Sequence, residues 1–241
     1  MPLPKVVAPT FELQLISTGK KVKYRPFLVK EEKVLLIALE NGSDADISAT
    51  LKSVLKSCIL TRGVDVEKLP SFELEYLFLN IRGKSIGESV ELLVTCQDDM
   101  ETKVPVTIYV DEIKVVRQKD HSTDIRLDDK MTLRMKYPSL NQFIETNFET
   151  GDGSETVVEK TFKVVANCMD TIFTGEDAWD VKDYTPSERM DFVEQLNSSQ
   201  YKKVENFFST MPKLSHTIEV VNPNTKKKGT VVLEGLADFF A

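Results

Sequence analysis

Histidine, cysteine and tryptophan are scarce in this sequence, and their scarcity limits the chemistry that the chain could perform. There are two histidines, three cysteines and one tryptophan in 241 residues. Cys58, Cys96 and Cys168 form no C-x-x-C pair, so the sequence predicts neither a disulfide framework nor a zinc site. His121 and His216 have no second histidine or cysteine at a spacing that suits a metal or a catalytic pair. We therefore expect buried structural thiols, solvated or locally hydrogen-bonded histidines, and no catalytic residue, metal or cofactor.

The usual nucleotide-binding and hydrolase motifs are also missing from the sequence. It contains no G-x-G-x-x-G, no P-loop, no G-x-S-x-G and no H-E-x-x-H. The longest apolar run, Val34–Leu39, is far shorter than the roughly 18–20 residues that a membrane span needs. The start, "MPLPKVVAPTFELQL", lacks the charged residues and long apolar core of a signal peptide, so we expect a protein of a reducing compartment. These absences favour a binding protein over an enzyme.

The composition supports a folded, acidic protein. Apolar residues make up 41% of the chain, which is enough to form a core, and the formal net charge is −7. An acidic surface repels nucleic acid at long range. The sharpest basic cluster is Lys226–Lys228 in "NTKKKG", at the tip of a predicted hairpin. A nucleic-acid-associated protein that uses this tip is therefore the alternative function.

Hairpins and helices occupy separate stretches of the sequence. Period-2 patterns around polar turns predict three antiparallel β-hairpins, within residues 11–29, 89–110 and 215–234. Spacings of three and four predict helices at about 30–40, 43–59, 70–82, 155–174, 186–196 and 199–211. This segregation predicts an α+β fold with antiparallel hairpins and helical clusters. The linker-like composition of 141–156 predicts a boundary between an N-terminal α+β domain at 1–140 and a C-terminal helical segment at 157–241.

Two segments carry more apolar residues than a single helix face needs. In "YRPFLVKEEKVLLIALENG" the apolar residues Val34–Leu39 cover more than one side of the predicted helix, so the helix is either central in the core or shared with a neighbour. Near the end of the chain, "GLADFF" contains Leu236, Phe239 and Phe240. These apolar residues could dock on the protein's own helices or on another subunit. The sequence leaves both alternatives open for both segments.

Three stretches of the sequence resemble one known family. They are "TGKKVKYRPFLVKEEKVLLIALE", "VDVEKLPSFELEYLFLNIRGKSIGESVEL" and "TMPKLSHTIEVVNPNTKKKGTVVLEGLADFF", with "MKYPS" between the second and the third. Together they are similar to the baseplate hub subunit family of T-even-type contractile-tailed bacteriophages. The likeness covers most of residues 3–140 and returns at about 205–241. Some relatives carry cysteine pairs at the hairpin tips, whereas here Cys96 stands alone.

The resemblance implies a non-enzymatic protein of the phage tail baseplate, either a hub component or a hub assembly factor, that assembles in the host cytoplasm. Its implied partners are other hub proteins, the tape-measure protein and the central spike complex, and self-association is compatible with the pattern. Interfaces combine an apolar centre with a charged rim, and "VKYRPFLVKEEKVLLIALE" has both. We expect Arg25, Glu31, Glu32 and Lys33 to form an exposed rim. The predicted contact residues are Arg25, Phe27, Leu36, Leu39, Leu236, Phe239 and Phe240.

Overall fold

The computed structural model describes residues 7–41, 44–139 and 156–239, and the chain divides into two compact units. Unit 1 comprises Met1–Val116 and Lys213–Ala241, and unit 2 comprises Arg117–Pro212. This division differs from the boundary predicted at 141–156, because the C-terminal hairpin belongs with the N-terminal residues. Lys213–Ser215 pair with Lys114–Val116 in one antiparallel sheet. The predicted linker at 141–156 lies almost wholly outside the described residues.

Unit 1 combines helices with antiparallel hairpins, as the periodicity predicts. The predicted hairpins are confirmed as β1–β2, β3–β4 and β10–β11, and β10 also pairs with β5. The predicted helix at 30–40 is confirmed as α1. The elements are β1 (Phe11–Gln14), β2 (Lys21–Tyr24), α1 (Val29–Asn41), α2 (Asp44–Cys58), α3 (Ser71–Ile86), β3 (Ser89–Thr95), β4 (Lys103–Tyr109), β5 (Lys114–Val116), β10 (Lys213–Val221), β11 (Lys228–Glu234) and α7 (Gly235–Asp238).

Helix α3 forms the centre of the unit 1 core. Leu74, Leu77, Leu79 and Ile81 are fully buried along it. Its Gly83 lies so close to Val110 that an added Cβ would come within 3.0 Å of that side chain. A residue with a side chain at position 83 would therefore push the helix away from the turn after β4.

Unit 2 packs one antiparallel sheet against helices. The sheet has the order β6-β7-β8-β9. Thr185 caps one helix through a capping box with Glu188, and Pro186 is the first helical residue, as the sequence predicts. With both units described, the α+β prediction is confirmed. The elements of unit 2 are β6 (Asp124–Arg126), β7 (Met131–Met135), α4 (Val157–Cys168), β8 (Met169–Thr174), β9 (Asp177–Asp180), α5 (Pro186–Glu194) and α6 (Ser198–Thr210).

One predicted helix of unit 2 is wrong in its second half. The helix predicted over 155–174 ends at Cys168, and Met169–Thr174 form strand β8 between β7 and β9. The segment Thr171–Thr174 contains β-branched and aromatic residues, which favour a strand. Pairing on both sides in the sheet decides the conformation. Trp179 lies on β9 opposite Ile172.

His121 belongs to the core of unit 2. Its ring stacks on Tyr137, lies 5.2 Å from the Phe207 ring centroid and is 6% exposed. Its two ring nitrogens lie 3.0 Å from the hydroxyls of Thr210 and Tyr137, which confirms a locally hydrogen-bonded histidine. Burial, assisted by the charge of Arg117, lowers the pKa of His121, so the neutral ring is the form that the fold holds.

We predict that the stability of the protein falls as the pH is lowered through about 6.5 because of His121. The unfolded chain takes up a proton there before the folded chain does, so acid favours the unfolded chain by up to about 1.4 kcal/mol per pH unit. Urea unfolding at pH 7.0, 6.5, 6.0 and 5.5 measures this slope. The variant His121→Gln should flatten the slope over this window. An unchanged slope in that variant would contradict the assignment to His121.

Candidate contact surface

The start of α1 is fixed by a buried ion pair that joins three elements of unit 1. The Arg25 guanidinium donates to both carboxylate oxygens of Glu31, at 2.8 and 3.3 Å. The Leu28 backbone N–H donates to the same carboxylate at 2.7 Å, which satisfies a free donor at the helix start. The Arg25 backbone N–H bonds to the Cys58 carbonyl at the end of α2. Arg25 and Glu31 therefore set the direction in which α1 leaves the β1–β2 hairpin.

The charges of this pair stabilise each other. Burial alone would raise the pKa of Glu31, but the hydrogen bonds from Arg25 and Leu28 outweigh it and the pKa is lowered. The hydrogen bond to Glu31 raises the pKa of Arg25 in turn. Both groups are thus charged at neutral pH.

The predicted exposed rim is wrong for Arg25 and Glu31. Their side chains are only 15% and 8% exposed, because each is enclosed by the other and by the end of α2. Lys33 is exposed as predicted, and Glu32 is partly buried. We therefore expect Arg25 to affect contact with a partner only by holding α1 in position.

The outward side of α1 carries large apolar side chains in water. Val29 is 80% exposed, Val34 49%, Leu36 54% and Ile37 50%. We call these four residues the α1 face. The buried side of the helix carries Glu31 and Ala38, so the apolar residues of α1 are divided between the core and the solvent. The side chain of Leu39 lies outside the described residues.

The remaining predicted contact residues lie in different surroundings. Phe27 is partly buried, its ring centroid lies 5.9 Å from that of Phe78, and its backbone N–H donates to Ser85. Phe239 is fully buried after α7, which packs on α3, β10 and β11 of the same unit. The side chain of Leu236 and the whole of Phe240 lie outside the described residues. Of the predicted contact residues whose side chains are described, Leu36 is the one that is exposed.

The tips of hairpins β3–β4 and β10–β11 are joined by Asn222, which the sequence pattern did not single out. Its side-chain amide donates to Asp98 at 2.9 Å and to Asp99 at 2.8 Å. Its side-chain oxygen accepts the backbone N–H groups of Asn224 and Thr225. Asn222 is 1% exposed, and its amide uses every donor and acceptor that it has for protein contacts. The only signal in the sequence is composition, since "QDD" and "NPN" are both typical of tight turns.

Residues Lys226–Lys228, which carry the alternative function, lie on the same tip. All three are exposed. Thr225 Oγ1 hydrogen-bonds Asp98, so carboxylates lie next to the lysines and reduce the local positive potential. All three cysteines are buried, which confirms the expectation of buried thiols. Within residues 7–41, 44–139 and 156–239 no group of His, Cys, Asp and Glu side chains could hold a metal ion.

Comparison with known families decides what this chain is. The model of the T4 bacteriophage base plate protein family matches residues 8–241. The chain belongs to this family. Comparisons with curated proteins and with solved structures gave no match. The resemblance inferred from the sequence is thus confirmed at the level of a T4-type baseplate protein.

Membership of the family gives the protein its place and its partners in broad terms. This baseplate protein is a structural component of the phage tail, and its partners are other baseplate proteins. Among the helices of the described residues, none has the length and apolar character that a bilayer span requires. The α1 face is consequently a candidate contact surface between baseplate proteins.

Proposed function

We propose that this baseplate protein acts at the central hub of the baseplate, as a hub component or as a hub assembly factor. It works through protein–protein contacts and performs no catalysis. Its neighbours are other hub proteins, together with the tape-measure protein and the central spike complex. The protein assembles with them in the host cytoplasm.

The α1 face is the observation that carries this proposal. Four large aliphatic side chains lie exposed on one short helix, and a packed interface removes such side chains from water. Burying a Leu or Ile side chain contributes roughly 1.5–3 kcal/mol. The anchored helix start keeps the face preorganised, so that little conformational entropy is lost when a partner binds. Lys33 and Glu40, both exposed, lie one turn from Ile37 and Leu36 and supply charges on the same side of the helix.

The proposal predicts that charge on the α1 face blocks assembly without unfolding the protein. The test variant is Leu36→Lys with Ile37→Lys, since lysine is a good helix former and both positions are exposed. Co-expression with candidate hub proteins, followed by size-exclusion chromatography and titration of the purified partners, measures association. We expect the affinity to fall at least about tenfold.

A matched control separates this effect from a general effect of surface charge. Ile86 is 58% exposed at the end of α3 and is not part of the α1 face, and Ile86→Lys should assemble like the wild type. Circular dichroism of both variants should match the wild type. Normal assembly of the Leu36→Lys, Ile37→Lys variant would refute the proposed role of α1.

The two forms of the proposal differ in whether the protein stays in the finished particle. A hub component is present in purified tails in a fixed ratio to the other hub proteins, whereas an assembly factor is released. Quantitative mass spectrometry of purified tails distinguishes the two.

A further inference from the structure

Unit 2 contains an apolar groove that stays open to solvent after the core of the unit has packed. The groove lies between the sheet strands β8 and β9 and helix α5, and has a volume of about 450 Å³. Ile172 and Trp179, a cross-strand pair, form its floor with Met131. Tyr184 and Phe192 line its other side. We call it the Trp179 groove.

The aromatic residues of the groove are open to solvent. Trp179 is 37% exposed and Tyr184 is 38% exposed, so the packing of unit 2 leaves part of both aromatic rings in contact with water. Among the described strands, β9 pairs with β8 alone and so forms an edge of its sheet. Exposed aromatic side chains in a concave site beside a free strand edge are typical of peptide-binding surfaces.

The rim of the groove is strongly acidic. Residues 176–194 contain seven acidic and two basic side chains, a net charge of −5. One of the basic residues, Lys182, is paired with Asp180, and the other, Arg189, donates to the Tyr184 carbonyl. Of the charged residues, Glu188, Asp191 and Arg189 line the groove itself, so its lining is acidic by one charge. The local field therefore attracts cations and repels phosphate and anionic lipid.

We propose that the Trp179 groove binds a positively charged segment of another protein. The segment places one or two large apolar side chains on Trp179 and Tyr184, and its Lys or Arg residues lie along the acidic rim. A second copy of this chain is disfavoured, because the protein itself has a net charge of −7. This surface lies in unit 2 and does not involve the α1 face, so either proposal can fail without the other.

Trp179 is the single tryptophan of the chain and reports binding directly. The probe is a tryptophan-free amphipathic peptide of about fourteen residues, with leucine on one face and lysine on the other. Two matched peptides replace every lysine by glutamate, or every leucine by serine. Each is titrated into the intact protein at low and at moderate salt while Trp179 fluorescence is recorded.

We expect the lysine–leucine peptide to shift the Trp179 emission to the blue, with an affinity that falls as salt is added. The glutamate peptide and the serine peptide should each bind at least about tenfold more weakly. Replacing Asp191→Asn together with Glu194→Gln should weaken binding by roughly two- to tenfold. The control pair Glu205→Gln with Glu219→Gln removes the same charge elsewhere and should leave the affinity unchanged.

Several results would overturn the proposal. One is the absence of any Trp179 shift with the lysine–leucine peptide. Another is equal binding of the lysine and glutamate peptides, which would remove the role of the acidic rim. A blue shift that grows with protein concentration when no peptide is present would show that a second copy of this chain occupies the groove.

Discussion

Replacing Arg25 by alanine should cost roughly 3–4 kcal/mol of folding free energy, the largest effect that we expect from a single substitution in unit 1. The reason is the carboxylate that remains behind. Glu31 is 7% exposed and would keep a negative charge without its bidentate partner. The Leu28 backbone N–H still donates to Glu31, and the exposed Lys30 Nζ lies 3.5 Å from its carboxylate, which keeps the loss from being greater. Urea unfolding at pH 7 measures the change.

Two further variants show whether the cost comes from an uncompensated charge. Lys23→Ala removes an exposed pair with Glu12 at 3.5 Å and should cost less than about 1 kcal/mol. Adding Glu31→Gln to Arg25→Ala removes the stranded charge and should recover part of the stability. A double variant that is less stable than Arg25→Ala would contradict the explanation.

The same pair predicts a pH dependence. The pKa of Glu31 is lower in the folded protein than in the unfolded chain, where it is about 4.3. The contribution of Glu31 to the free energy of unfolding is therefore fully present above about pH 4.3 and is lost as the pH falls through the pKa of the folded protein. The Arg25→Ala variant should lose stability less steeply in this acid range than the wild type.

Replacing Asn222 by alanine should cost roughly 2–4 kcal/mol, the second largest effect. Two hydrogen bonds to carboxylates disappear, and the backbone N–H groups of Asn224 and Thr225 lose their acceptor. The connection between the two hairpin tips weakens as a consequence. Hydrogen exchange should show faster opening at 96–102 and 222–227 than in the wild type.

The neighbouring Asn224 supplies the control for this prediction. It lies on the same tip, is exposed, and donates one hydrogen bond to Thr102 at 3.0 Å. Asn224→Ala should cost no more than about 1 kcal/mol. If both variants unfold at the same urea concentration, Asn222 does not join the tips as described.

The local sequence pattern predicted most helices and strands, because it reflects interactions between residues that are only a few positions apart. The alternation in "SVELLVT" and the Thr185 capping box each have a local cause, so the sequence alone predicts both. It does not predict the strand Met169–Thr174, since Ile172 continues the helical spacing of α4 and only pairing with β7 and β9 distinguishes the two conformations. The pairing of β10 with β5 joins residues about a hundred positions apart, and no local pattern encodes it.

The candidate contact surface was predicted only in part for the same reason. The apolar residues Val34–Leu39 exceed one helix face, which left open whether α1 is central in the core or shared with a neighbour, and the structure places Leu36 and Ile37 in solvent. The burial of Arg25 with Glu31 depends on the end of α2, which the sequence does not place. The burial of Phe239 likewise depends on α3 and the C-terminal sheet.

In the assembled tail, we expect another baseplate protein to cover the α1 face. Hydroxyl-radical footprinting of the free protein and of purified baseplates, or of the last assembly intermediate that retains the protein, tests it directly. We expect Val34, Leu36 and Ile37 to react readily in the free protein and to be strongly protected in the assembly, while Ile86 should react equally in both. Equal labelling of Leu36 and Ile37 in the two samples would contradict it.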